Sequence, residues 1–137
     1  MRILAASAVI VDDSDRVLLV LRANEPDAGC WTVPGGRVEK DESLATAVVR
    51  EVMEETGLTV DVQRELGTLE VPTGSGGTYE IHDFLASVVS GTVTPGDDAV
   101  DARWFTREEM QRLPLRPDLL GYLTRYGTFR QGGNPGT

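Results

Sequence analysis

The segment Gly36–Leu58 reads GRVEKDESLATAVVREVMEETGL and carries the strongest structural signal in the chain. It predicts a helix from about residue 43 to residue 56. Ser43 or Asp41 can cap the first turn, and Gly57 suits the left-handed position that follows a last helical turn. Strand-like segments flank this helix on both sides, and more helix follows near the end of the chain. This order predicts a mixed α/β domain built in layers.

One face of the predicted helix begins apolar and ends acidic. At helical spacing this face carries Leu44, Ala47, Val48, Glu51, Glu54 and Glu55. Like charges at this spacing repel, and anions near a helix C-terminus oppose the helix dipole. Such local conflicts tend to occur at functional sites, and clustered carboxylates suit a hard cation such as Mg²⁺ or Mn²⁺. The alternative is a solvated acidic face, but the carboxylates continue the apolar stripe instead of opposing it.

Arg50 lies within the same acidic region. It could pair with Glu42 or another carboxylate and so brace the cluster. It could equally be an ordinary surface arginine, and the helix sequence alone leaves both interpretations open.

These residues together resemble the signature of the Nudix family. The signature is Gly, five residues, Glu, seven residues, Arg-Glu, an aliphatic residue, any residue, Glu-Glu, any residue, Gly and an aliphatic residue. Gly36, Glu42 and the run from Arg50 to Leu58 meet every fixed position. The preceding Trp-Thr-Val-Pro-Gly at 31–35 is also similar to the family's approach to this signature. The resemblance implies an α/β/α sandwich around a mixed β-sheet.

The resemblance also implies an activity. Nudix enzymes hydrolyse a nucleoside diphosphate linked to another group, X, and usually release a nucleoside monophosphate and phosphorylated X. Metal ions can neutralise the charge of the pyrophosphate and activate the attacking water. We therefore expect a magnesium-dependent pyrophosphohydrolase, with Mn²⁺ as an alternative ion.

Roles for individual residues follow from the same resemblance. Glu51 and Glu55 would bind metal directly, Glu54 would bind a second metal or act through a water, and the carbonyl of Gly36 would add an oxygen. Glu42 and Arg50 would lie behind these ligands, with Arg50 orienting them. All these positions are present in this chain.

The general base stays open, because some family members use a glutamate of the signature and others an acid from a distant loop. Asp98 or Asp97 could supply such an acid, although Pro-Gly-Asp-Asp is also ordinary turn composition. Glu80 is a weaker candidate. Arg22 and Arg37 are the candidates for binding substrate phosphates.

Two features outside the signature bear on the substrate. The segment 22–31 resembles a bacterial branch of ADP-ribose pyrophosphatases, and a proline about as far downstream as Pro72 is also associated with ADP-ribose hydrolysis. ADP-ribose or a similar nucleotide sugar is therefore favoured. The alternatives are a pyrophosphatase for nucleoside triphosphates, including oxidised dGTP, and a non-catalytic nucleotide-binding module on the same fold.

Other candidate residues have plainer interpretations. The aromatic residues Trp31, Trp104 and Phe84 could stack on a base, but residues of this kind more often belong to the core. His82 is expected to be structural, and Cys30 to be a small packing residue.

Composition narrows the classes of function further. The chain has 137 residues and a net charge of −9, which disfavours a nucleic-acid polymer or an anionic membrane as partner. One domain is expected over residues 1–130, followed by a disordered Gly- and Pro-rich tail at 131–137. The single cysteine fits a reducing, cytoplasmic setting. Family members are often dimers, so a homodimer stays open.

The remaining elements follow from apolar patterning and turn residues. The apolar run at 3–11 and the next one at 17–22 predict a β-hairpin rather than a signal peptide, because Asp-Asp-Ser-Asp lies between them. A short extended piece is expected at 31–33, ended by Pro34. Further strands are expected near 60–71, 79–89 and 102–105, and further helices near 107–113 and 117–126.

Overall fold

A computed structural model describes residues 1–96 and 99–129, and within that part of the chain it contains seven strands and three helices. In chain order these are β1 Arg2–Ile10, β2 Val17–Arg22, β3 Trp31–Thr32, β4 Gly35–Arg37, α1 Leu44–Thr56, β5 Thr59–Pro72, β6 Thr78–Ser90, β7 Ala99–Phe105, α2 Arg107–Met110 and α3 Leu119–Arg125. The expected α/β class is confirmed. The expected tail lies outside the described residues.

The strands form two sheets. One has the order β4-β1-β6-β5, with β1 and β6 parallel and the other pairs antiparallel, so it is mixed as expected. The other has the order β3-β2-β7 and is antiparallel throughout. Alternate residues of β1 face opposite cores, so that Ala8 packs toward α1 and Val9 packs toward α3. The sheets therefore lie between helices on both faces, as a sandwich requires.

The predicted hairpin of β1 and β2 is wrong beyond its turn. The turn forms, since Asp12 N–H donates to the carbonyl of Arg16 at 2.9 Å and a single bridge joins Val11 to Val17. The two strands then enter different sheets. The reason is that both edges of β1 are occupied, by β4 and by β6, so that β2 pairs with β3 and β7 instead.

The chain also remains extended after Pro34, where an end was expected. Gly35–Arg37 forms β4 and pairs antiparallel with residues 5–7 of β1. A Cβ at Gly35 would lie 2.5 Å from the carbonyl oxygen of Ala6. The absence of a side chain at this position thus permits the close pairing that brings the acidic signature to the sheet.

Helix α1 has the bounds and caps that its sequence predicts. The Ser43 hydroxyl accepts a hydrogen bond from the backbone N–H of Thr46, and Gly57 ends the helix at φ 76°. Ala47, Val48 and Val52 are fully buried against the four-stranded sheet. This packing fixes the rotation of the helix, and therefore the direction of its acidic end.

The three aromatic candidates are core residues, which confirms the plainer interpretation. Trp31 is buried and packs edge-on against Phe105 at 4.9 Å between ring centroids. Phe84 is buried in the core between α1 and the four-stranded sheet, and the half-buried Trp104 packs against that core. Within the described residues, the helices are too short and too polar to cross a membrane.

Candidate active site

A cavity of about 410 Å³ lies beside the C-terminal half of α1. Its charged lining divides into two groups, the carboxylates Glu51, Glu54 and Glu55 and the guanidinium groups Arg22, Arg37 and Arg116. Gly36 also lines it. A cavity with both kinds of charge can bind cations on one wall and phosphate oxygens on another.

Glu55 has the most perturbed ionisation in this cavity. Its carboxylate is largely buried and accepts a hydrogen bond from the backbone N–H of Gly35 at 2.9 Å. Burial, and next the negative charge of Glu51, raise the pKa of Glu55 to about 8. Without a cation, a proton therefore offsets the repulsion between these two side chains.

Gly36 lies directly against Glu51. A Cβ at position 36 would be 2.5 Å from the carboxyl carbon of Glu51 and 2.6 Å from both of its oxygens. Any side chain at this position would therefore fill the space beside the carboxylate. The fixed glycine of the signature has a physical reason in this structure.

Arg50 braces the cluster, as one of the two sequence interpretations predicts. Its Nε and Nη2 donate to the two carboxylate oxygens of Glu42 at 2.7 and 2.9 Å, and its Nη1 donates to Glu51 at 2.8 Å. Nη2 also donates to the carbonyl of Arg37 at 3.0 Å. The hydrogen bonds from Arg50 lower the pKa of Glu42 to about 2, so this carboxylate stays ionised as the anchor of the arginine.

The donor set fits a hard divalent cation, although it is not already arranged around one. Within residues 1–96 and 99–129, no group of three or more His, Cys, Asp or Glu side chains is arranged so that it could hold one metal ion. The reason is that Arg50 binds Glu51 and approaches Glu54 at 3.4 Å, while Gly35 binds Glu55. Carboxylate oxygens gathered on one helix face beside the carbonyl of Gly36 are the kind of ligand that Mg²⁺ or Mn²⁺ requires.

Both predicted substrate-binding arginines line the cavity. Arg22 donates from Nε to the carbonyl of Pro26 at 2.7 Å, and Arg37 lies over the ring of Tyr79 at 5.9 Å from its centroid. Sequence reasoning did not identify Tyr79 or Arg116 as lining residues. Neither is part of a local motif, because they reach the cavity from β6 and from the connection before α3.

The distant acids Asp97 and Asp98 lie outside the described residues. The segment just before them is in contact with the end of α1, since Thr94 N–H donates to Thr56 O at 2.8 Å and Gly96 N–H donates to Glu55 O at 3.0 Å. This contact brings residues 94–96 to the acidic turn of the helix. Glu80 instead pairs with His82 at 2.8 Å and is not among the residues that line the cavity.

Comparison with known proteins decides the family. The family model described as NUDIX domain matches residues 1–126. This chain belongs to the Nudix family. An ADP-ribose pyrophosphatase of Methanocaldococcus jannaschii is 37% identical over 105 residues, covering 76% of this chain and 62% of that protein. The chain thus spans less than two-thirds of the length of this relative.

Two further matches show how broad the Nudix likeness is. An oxidized purine nucleoside triphosphate hydrolase of Mus musculus is 32% identical over 111 residues, covering 80% of this chain and 70% of that enzyme. The crystal structure of a MutT NUDIX hydrolase from Burkholderia pseudomallei superposes with a TM-score of 0.81 at 28% identity, covering 90% and 97% of the two chains. The fold is thus shared with Nudix hydrolases, while the named substrates differ among relatives.

A second cavity of about 400 Å³ lies beside the first. Pro26, Ile81 and Arg116 line both cavities, so these three residues form their junction. Pro72 lines the second cavity but not the first. The proline that sequence analysis connects with ADP-ribose hydrolysis therefore lies in a cavity that shares three lining residues with the first.

Proposed function

We propose that this Nudix hydrolase cleaves the pyrophosphate bond of ADP-ribose or a similar nucleotide sugar, using Mg²⁺ or Mn²⁺. One observation carries the proposal: three carboxylates and three arginines line the same cavity of about 410 Å³. A diphosphate needs cations near its anionic oxygens and also needs direct donors, and this lining offers sites for both.

In the proposed reaction each cavity residue has a defined task. Glu51 and Glu55 would hold the cation, with the carbonyl of Gly36 as an additional oxygen ligand and Glu54 for a second ion or a bound water. When bound, the cation would neutralise charge on the diphosphate and make the attacking water more acidic. Arg50, anchored on Glu42, would keep Glu51 in position.

The bond changes are simple to state. The oxygen of water forms a bond to one phosphorus, and the bond between that phosphorus and the bridging oxygen breaks. Arg22 and Arg37 would bind the phosphate oxygens as charge develops. The water proton would pass to a carboxylate, and the candidates are Glu54 and Asp98.

The similarity to an archaeal ADP-ribose pyrophosphatase supports a nucleotide sugar as substrate. So do the second cavity and the position of Pro72 in its wall. The murine relative favours the second candidate, hydrolysis of a nucleoside triphosphate to a monophosphate and pyrophosphate. A soluble nucleotide as the only partner, a homodimer and a cytoplasmic location accompany the proposal as further predictions.

A substrate panel tests the function. ADP-ribose, other nucleotide sugars, dinucleoside polyphosphates, dGTP and oxidised dGTP are each incubated with Mg²⁺ or Mn²⁺, and products are identified by mass. We expect AMP and ribose 5-phosphate from ADP-ribose, with the highest kcat/KM in the panel. A higher kcat/KM for a triphosphate would reject the nucleotide sugar as the preferred substrate and would support the second candidate, hydrolysis of a nucleoside triphosphate. Absence of turnover with every compound would support a non-catalytic module.

A further inference from the structure

The junction between the two cavities contains one charged residue. Pro26, Ile81 and Arg116 line both cavities, and only Arg116 can bind an anion. A substrate with groups in both cavities would therefore lie beside this guanidinium. Its position and its free hydrogen-bond donors decide what it can recognise.

The backbone of Arg116 is fixed by β3. Trp31 N–H donates to the carbonyl of Pro114 at 2.8 Å, and Arg116 N–H donates to the carbonyl of Trp31 at 2.9 Å. These bonds extend the three-stranded sheet by one bridge, between Trp31 and Leu115. The backbone at Arg116 is therefore held by hydrogen bonds to the sheet, in contrast to that of an arginine on a free loop.

The side chain is fixed at only one of its nitrogens. Nε donates to Asp27 Oδ2 at 3.1 Å, and the side chain is 17% exposed. Within the part of the chain that the structure describes, Nη1 and Nη2 donate no hydrogen bond. Arg22 has the same arrangement. Its Nε donates to the carbonyl of Pro26, and its terminal nitrogens donate no hydrogen bond within the described residues. Largely buried donors of this kind call for acceptors, and phosphate oxygens are suitable ones.

Apart from Arg116, the second cavity is lined by other charged groups than the first. The second cavity has the carboxylates of Asp27, Glu70 and Asp118 and the hydroxyl of Thr73 in its lining. Asp118 precedes α3 but makes no capping hydrogen bond with its side chain. Carboxylates accept hydrogen bonds from hydroxyl groups and repel phosphates. A neutral, hydroxyl-rich group such as a sugar suits this cavity, and a further phosphate does not.

We propose that Arg116 is a specificity-determining residue. It binds the phosphate that carries the terminal, non-adenosine sugar of the substrate and directs that sugar into the second cavity. This inference rests on the proposed function, since it assigns the sugar of an ADP-ribose-like substrate to a place. A nucleoside triphosphate has no sugar beyond its outer phosphates, so it gains nothing from the second cavity. Arg116 thereby favours substrates with an organic group on both sides of the diphosphate.

Kinetics of three arginine variants test the inference. For Arg116→Met we expect KM for ADP-ribose to rise by about tenfold or more, the loss typical of a charge-assisted hydrogen bond, with kcat changed little. KM for dGTP should change much less. Arg116→Lys, which keeps the charge but loses the planar donors, should fall between wild type and Arg116→Met. Arg112→Met, an exposed arginine outside both cavities, is the matched control and should behave as wild type.

A second variant tests the cavity without removing Arg116. Val71→Trp places a large side chain in the wall of the second cavity and leaves the first cavity's lining unchanged. It should raise KM for ADP-ribose and leave KM for dGTP near wild type. Val89→Trp, on an exposed position of β6, is the control. Equal effects of Arg116→Met or Val71→Trp on both substrates would overturn the inference.

Calorimetric binding of ribose 5-phosphate separates this inference from the proposed function. Wild type should bind it, and Arg116→Met should weaken binding by about tenfold or more, while AMP binding changes less. If wild type fails to hydrolyse ADP-ribose but shows this pattern, the proposed function fails and the junction site stands. If ADP-ribose is hydrolysed but Arg116→Met binds ribose 5-phosphate as wild type does, the inference fails alone.

Discussion

Arg50 donates from two different nitrogens to the two carboxylate oxygens of Glu42, at 2.7 and 2.9 Å, and from a third nitrogen to Glu51 at 2.8 Å. This planar fork ties the start of the signature to its acidic end. The side chain of Glu42 is largely shielded from solvent, and that of Arg50 is about a quarter exposed. The pair therefore holds Glu51 in position across one side of the cavity.

Arg50→Lys tests this bracing. Lysine keeps the charge but cannot form the fork, so we expect kcat to fall by about 10- to 100-fold, as for other residues that orient metal ligands. A higher Mg²⁺ concentration should recover part of the loss. Arg103→Lys, which alters an exposed pair with Asp101, is the control. A kcat unchanged at all Mg²⁺ concentrations would contradict the assignment.

Glu54→Gln and Glu55→Gln test the carboxylates themselves. Each substitution keeps the shape and removes a charge, so turnover should fall by orders of magnitude while the fold persists. Without metal, each variant should be at least as stable as wild type, because Glu54→Gln removes a charge from the acidic cluster and Glu55→Gln replaces a carboxyl group that is already protonated near neutral pH. Rates with Mg²⁺ and thermal melts in EDTA measure the two effects. Glu108→Gln, on the exposed face of α2, is the control. Full activity in both variants would refute the metal assignment.

The parts of the site that could be predicted are those encoded within one helix. Ser43, Gly57 and the apolar stripe fix the bounds and rotation of α1, and helical spacing then groups Glu51 with Glu55. Local physics is sufficient here, because each relationship lies within a few residues. The family signature adds roles but no geometry.

The parts that could not be predicted depend on contacts between distant segments. Strand β1 leaves its sequence neighbour because β4 and β6 occupy its edges. Tyr79 reaches the first cavity from β6, and Arg116 reaches it from the connection before α3. Neither residue has a local pattern that differs from a plain strand or turn, so their place in the lining of the first cavity is evident only from the assembled sheets.

Gly96→Ala tests the contact between the loop and α1. A Cβ at position 96 would collide with the backbone oxygen of Glu54, so the loop would have to move away from the last helical turn. We expect a loss of about 1–3 kcal/mol in unfolding free energy and a lower kcat, because that turn carries Glu54 and Glu55. Gly121→Ala is the control, since a Cβ there meets only the end of Arg125 at 3.5 Å. Wild-type stability and kcat in Gly96→Ala would contradict the prediction.

His82→Gln tests a charged cluster on the outer part of the sheet. His82 lies between Glu65 at 2.6 Å and Glu80 at 2.8 Å. Burial opposes its protonation, but the hydrogen bonds to Glu80 and Glu65 outweigh burial and raise the pKa of His82. The stabilisation is therefore complete below the unfolded pKa of about 6.5 and is lost as pH rises through the folded value. In urea denaturation the variant should be less stable than wild type at pH 6, with a smaller difference at pH 9. A pH-independent difference would show that protonation of His82 is not involved.

Asp83→Asn tests a buried carboxylate below α3. Its Oδ2 accepts a hydrogen bond from the Tyr126 hydroxyl at 2.8 Å, while Oδ1 is buried and has no partner among the described residues. Burial raises the pKa of Asp83 to about 6 from its ordinary value near 4, so the folded state binds the extra proton between these values. Stability from this group is thus highest below the ordinary pKa, falls as pH rises from there to about 6 and levels off above that value.

Asparagine is neutral at every pH and can still accept the bond from Tyr126. We expect Asp83→Asn to be more stable than wild type at pH 8, by on the order of 2 kcal/mol, and to lose this advantage near pH 4. Urea denaturation at several pH values measures the difference. Tyr126→Phe, which removes the only donor to Asp83 in the described residues, should make the wild-type dependence on pH steeper. Identical pH slopes for wild type and Asp83→Asn would show that folding does not change the pKa of Asp83.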